Sequence, residues 1–132
     1  MNEASLTTEF SHWMKARWKE GSTAIEFKIV KAPSKSLSFS SFRPQQIPSL
    51  LMAKHSGLWH KLSDASPDQK PFDSFFLSGT SAYVGIFWVI PRKLKRCTLI
   101  DVDEFVKFME ECGKKSITLA ESEKISTHCI EL

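Results

Sequence analysis

No run of ~18 apolar residues occurs in the chain, so none of it is expected to span a membrane. The first ten residues, MNEASLTTEF, hold an early acid and no apolar core, which excludes a secretory signal on this reading. Cysteine is scarce and odd in number (Cys97, Cys112, Cys129) with no CxxC spacing. That argues against a disulfide framework or a zinc knuckle and for reduced thiols in a cytoplasmic protein. His12, His55, His60 and His128 are scattered without an HExxH, which argues against a zinc hydrolase. Internal repeats, linkers and low-complexity stretches are also lacking.

What is present is the composition of an ordinary globular chain. At 132 residues, 42% apolar and 25% charged, it reads as one domain, 1–132, able to bury roughly two-thirds of its unfolded surface. The net charge of +3 is mild but unevenly spread. PRKLKR (91–96) and MKARWK (14–19) concentrate cations, whereas DVDEFVKFMEE (101–111) concentrates acids. Such a distribution permits a polyanionic partner, although PRKLKR reads equally as a solvated loop.

Periodicity supplies the elements. Phe10, Trp13, Met14 and Trp18 form one helical stripe, with Thr7 or Thr8 as the expected N-cap and Glu9 in the first turn. Residues 23–31 alternate as a strand, and KAPSKSLSFSS reads as a loop. IPSLLMAKH predicts a helix with Gly57 as its C-cap. Residues 58–64, 72–79 and 82–90 predict strands, the last two joined as a hairpin through GTS. CTLIDV is a further strand. Asp101 or Asp103 then caps a helix carrying Phe105, Val106, Met109 and Cys112 inward, ended by Gly113. A short capped helix and a last strand, THCIEL, close the chain. The pattern predicts a mixed α/β domain with one central sheet flanked by helices. Phe75, Phe76, Tyr83, Phe87 and Trp88 read as packing residues rather than base-stacking ones.

The anomaly lies in the first strand. Ala24, Glu26 and Lys28 share one face, Ile25, Phe27 and Ile29 the other, and charged groups seldom sit mid-strand without a partner. Glu26 and Lys28 stand about 6–7 Å apart along that face by the strand rise. An edge strand showing a polar face to water accounts for the pair. So does chemistry: a carboxylate holds a hard divalent cation, and a neighbouring ammonium orients water or stabilises developing charge. A second acid is then required, and Asp73, Asp64 and Glu9 are the candidates.

TAIEFK, FRPQQIPSLL, GLWHKLSD, KPFDSFFL and AYVGIFWV together resemble the PD-(D/E)xK nucleases, nearest to Holliday-junction-resolvase-like proteins, from about residue 5 to residue 108. The resemblance implies a restriction-endonuclease-like mixed central sheet flanked by helices. It implies Glu26 as metal ligand, Lys28 as catalytic lysine, Gln46 beside the metal (with Gln45 where the family often has His), and Glu9 as the helix acid that completes the site in resolvases. The family sets its motif aspartate on a strand just before the Glu-x-Lys strand. Here only WKEGST precedes it, without an Asp, so Asp73 of KPFD is the expected second metal ligand from a later strand. The implied protein is an Mg²⁺- or Mn²⁺-dependent endonuclease hydrolysing DNA phosphodiester bonds, working on four-way junctions or other branched DNA as a homodimer. Lys31, Lys35 and Arg43 flank the site as expected DNA contacts. A DNA-binding module that kept the fold without activity is the alternative, and a structural or assembly role the third reading.

Overall fold

Alternation along 23–31 becomes the edge of a sheet. The computed structural model describes residues 3–17, 23–56, 58–61, 74–77 and 79–132, with side chains over 3–14, 23–56 and 79–132. Strand β1 (Thr23–Lys31) leads through β2 (Ser36–Ser38), a 3-10 turn at Phe39–Ser41, and then β3 (Leu58–Lys61) and β4 (Ser74–Leu77) to β5 (Ser81–Ile90), which pairs with β1 in parallel. Glu26 falls opposite Val84 and Lys31 opposite Val89. A turn at 91–93 returns β5 into β6 (Leu94–Asp101), its antiparallel partner. Beyond it come β7 (Ser116–Thr118) and β8 (His128–Glu131), which pairs antiparallel with β6. The described residues thus form a mixed four-stranded sheet in the order β1-β5-β6-β8, with two-stranded ribbons β2-β7 and β3-β4 beside it.

Four helices accompany these strands: α1 (Glu3–Arg17), α2 (Gln46–His55), α3 (Val102–Glu111) and α4 (Leu119–Ile125). Leu6 and Phe10 of α1 pack with Phe27, Tyr83, Phe87 and Leu99 on one face of the sheet. Leu50 of α2 and Phe105 of α3 pack with Val30, Val84, Ile86 and Trp88 on the other. The architecture is mixed α/β, a sheet flanked by helices.

Local chemistry explains the element ends. Asp101 is the N-cap of α3, its carboxylate accepting from the Asp103 N–H, and Gly113 follows the helix in the left-handed region, φ 68°. Thr118 and Glu121 close a capping box on α4. Pro48 lies in the first turn of α2, where the missing N–H costs little. Thr80, just ahead of β5, donates both its N–H and its hydroxyl to the Ala53 carbonyl at 3.1 Å, tying α2 to the sheet. Trp88 Nε1 (2.9 Å) and the Ser122 hydroxyl (2.8 Å) both donate to the Thr98 hydroxyl, so this buried polar chain is satisfied.

Three expectations need correction. Helix α1 starts at Glu3, not at Thr7 or Thr8, whose hydroxyls donate back to the Glu3 and Ala4 carbonyls inside the helix. The stretch KAPSKSLSFSS is not all loop, because Leu37 is buried and β2 finds its partner in β7 eighty residues on, at Leu37↔Ile117. Strands 72–79 and 82–90 do not form a hairpin. Here β4 pairs with β3 (Leu58↔Leu77), and β5 is drawn away to lie between β1 and β6. The actual β5-β6 hairpin uses part of PRKLKR: Leu94, Lys95 and Arg96 are strand, and only 91–93 turn. Trp18 and Gly57 lie outside the described residues.

Candidate functional site

The acid and the base of β1 meet a third polar group from α2. Glu26 and Lys28 point to the α2 side, alternating with Ile25, Phe27 and Ile29, which pack toward α1. Lys28 Nζ stands 3.8 Å from Glu26 Oε1, and Gln46 Nε2 donates to the same oxygen at 2.9 Å. Both charged side chains are largely covered, Lys28 at 17% and Glu26 at 31% exposed.

Each member of this trio is positioned by its own backbone context. Gln46 opens α2, and its side-chain carbonyl Oε1 accepts the Arg43 N–H at 2.9 Å. The amide is therefore oriented, with its oxygen turned to the chain and its NH₂ turned to Glu26. Gln45 is the N-cap of α2 and makes no capping bond with its side chain. Lys28 Nζ also sits 5.1 Å from the centroid of the Phe42 ring, a cation–π contact, and Phe42 in turn packs on Phe105. An ammonium held between a carboxylate and a ring face has lost much of its rotamer freedom before any substrate arrives. The other Glu26 oxygen, Oε2, has no hydrogen-bond partner among the described residues, which leaves a hard oxygen donor available.

Not every expected member joins. Glu9 lies on α1, across the sheet from Glu26, where its carboxylate accepts from Lys95 Nζ at 2.8 Å. The sheet stands between the two acids, so Glu9 does not complete a site with Glu26. Asp73 and Asp64 lie outside the described residues. Lys31, Lys35 and Arg43 are exposed, and Arg43 is three residues from Gln46. Among the described residues no three His, Cys, Asp or Glu side chains converge as a metal group. For Mg²⁺, which takes one or two carboxylates plus water and substrate oxygens, Glu26 supplies one suitable ligand. No described helix is long and apolar enough to cross a membrane.

A second charged cluster escaped the sequence reading. Lys54 Nζ, at the end of α2, donates to Asp101 at 2.7 Å and also to Asp103, while His55 Nε2 meets both Asp103 oxygens at 2.8 and 2.9 Å. Burial works against the Lys54 charge, but the bonds to Asp101 and Asp103 outweigh it and raise the ammonium pKa. The Lys54 hydrogen bond, then that of His55, holds the Asp103 carboxyl below its ordinary range. This network clamps α2 to the start of α3. Adjacent Lys-His and Asp-x-Asp pairs were the only sequence signal, and nothing in the spacing shows that they meet.

Cys97 is fully buried, and that burial pushes its thiol pKa up, away from reactivity. No protein-family model, no curated protein and no solved structure matches the chain.

Proposed function

We propose that the chain is a metal-dependent endonuclease that hydrolyses DNA phosphodiester bonds, of the Holliday-junction-resolvase-like kind. The observation that carries this reading is the meeting of Glu26, Lys28 and Gln46 on one sheet face, with Gln46 Nε2 and Lys28 Nζ both directed at Glu26 Oε1. The β1-α2-β5 order, with β1 and β5 parallel, sets a strand acid, a strand lysine and a helix-opening glutamine side by side. The resemblance implied that same trio from the sequence.

Glu26 would hold a divalent cation, Mg²⁺ or Mn²⁺, with Asp73 as the proposed second ligand. Such an ion supplies Lewis acidity and lowers the pKa of bound water. The protein's own contribution is orientation and charge. Gln46 fixes the rotation of the Glu26 carboxylate. Lys28 places a positive charge where a phosphorane's extra negative charge develops and steers a water by donation. A homodimer is proposed because a four-way junction presents two symmetric strands to cut.

A second reading has one observation in its favour. Glu26 Oε1 already accepts from Gln46 Nε2 and has the Lys28 ammonium 3.8 Å away as an ion pair, as in a purely structural polar cluster. On that reading the domain binds DNA and does not cut it. Incubation with a labelled four-way junction separates the two. Cleavage in Mg²⁺ but not in Ca²⁺, lost in Glu26→Ala and Lys28→Ala, supports the nuclease; unimpaired cleavage by either variant refutes the assigned roles.

A further inference from the structure

Beyond the Glu26 cluster, the end of the sheet where β1 stops and β5 turns into β6 carries a concentration of positive charge. The turn at 91–93 is closed by the Lys93 N–H donating to the Ile90 carbonyl at 3.0 Å, and Arg92 adopts the left-handed region, φ 63°. Arg92 and Lys93 are exposed at its tip, and Lys31 ends β1 level with Val89. Together with Ala32, Val89, Ile90 and Lys95 they border an open hollow of about 610 Å³ that no acid lines.

The charges of this hollow are not balanced within the described residues. Lys95 is neutralised by Glu9 at 2.8 Å. Lys31, Arg92 and Lys93 have no acidic partner among the described residues, although the chain holds fifteen acids and pairs Lys28, Lys54, Arg96 and Lys114 with them elsewhere. Like charges gathered without counter-charge raise the energy of the compact state, and an anionic ligand removes that cost. The three residues line a hollow that is open to solvent rather than an enclosed pocket. That suits successive phosphates better than a single anion, and the Arg92 guanidinium offers the two-pronged donor geometry a phosphate accepts.

We infer that this hollow is a nucleic-acid backbone contact, separate from the Glu26 cluster, in which Lys31, Arg92 and Lys93 each meet a phosphate. The choice of nucleic acid over an acidic peptide rests on the nuclease reading, through a shared element. Lys31 lies on the same edge strand as Lys28 and Glu26, about 10 and 16 Å further along by the strand rise, and by alternation it leaves the strand on the α1 side with Val89, the opposite face from Glu26.

The test is fluorescence anisotropy of a labelled duplex and a labelled four-way junction over a salt series without divalent metal. The proteins are wild type and the triple variant Lys31→Ala, Arg92→Gly, Lys93→Ala. Glycine at 92 suits the left-handed backbone, and all three positions are exposed. If the triple variant fails to keep the wild-type urea midpoint, Arg92→Gly and Lys93→Ala are measured singly. Expected is a fall in the slope of log K against log salt of about 0.9 per cation removed, with at least ~10-fold weaker binding at low salt. An unchanged slope in the variants overturns the inference, as does absence of DNA binding by wild type or tighter binding of polyglutamate than of duplex. Altered slopes with no Mg²⁺-dependent cleavage by wild type would retain this surface and remove the nuclease. Cleavage with unaltered slopes would do the reverse.

Discussion

The two faces of one strand, β1, differ in what they are packed against and hence in what they can do. On the α1 side, Phe27 stacks on Phe87 at 4.8 Å between centroids and meets Phe10 edge-on at 5.2 Å. On the α2 side, one residue away in each direction, Glu26 and Lys28 are bound to Gln46 and Phe42. A period of two lets a nine-residue strand anchor a core and present a polar cluster at once. The apolar face holds the polar groups in place, because a shift of β1 by one residue would exchange them.

This contrast predicts separable effects. Phe87→Ala, fully buried in the aromatic stack, should cost about 3–5 kcal/mol in urea denaturation. A loss below about 1 kcal/mol would mean that the stack is not the anchor described. Next in size is Gly85→Ala. A Cβ there would lie 2.7 and 2.8 Å from the Phe27 ring and 3.1 Å from Ile25 Cγ2, so the ring must move, at about 1–3 kcal/mol. Asp101→Ala removes both the α3 cap and one Lys54 partner, and should cost about 0.5–2 kcal/mol. Glu26→Gln should leave the urea midpoint almost unchanged, since the amide still accepts from Gln46.

A small electrostatic effect is expected at Asp103. Asp103 has its pKa lowered from 3.8 by Lys54 and His55, so the folded state favours its ionised form. That stabilisation is complete above the unfolded pKa and fades as pH falls through the depressed folded value. Asp103 is 41% exposed, so solvent screening keeps the contribution below about 1 kcal/mol. Asp103→Asn should flatten the acid limb of stability between pH 5 and the strongly acidic range by that small amount; an unchanged limb would show that the clamp carries no net energy.

How much of this was legible in the sequence follows from the range of each signal. Strand β1, helix α2 and a cap at Asp101 or Asp103 are local patterns and were visible as such; the structure makes Asp101 the cap. So was the sharing of one face by Glu26 and Lys28, which alternation fixes. The partner of β2 was not visible, because three residues of strand carry no mark of a match at 116–118. Glu9 was misplaced for a related reason. Its helix was readable, but the side of the sheet on which that helix docks depends on Leu6 and Phe10 finding Phe27 and Phe87. Gln46 was reached through the resemblance, and its hydrogen bond to Glu26 joins residues twenty apart. The clamp of Lys54 on Asp101 and Asp103 joins residues 47 and 49 apart and had no local signature.

The most direct measurement of the central claim is the single-turnover rate at which a four-way junction is cut in Mg²⁺ by wild type and by Glu26→Gln, with junction binding followed in the same samples. A rate at least ~100-fold lower in Glu26→Gln at undiminished binding is the predicted result. Equal rates for the two proteins would contradict it.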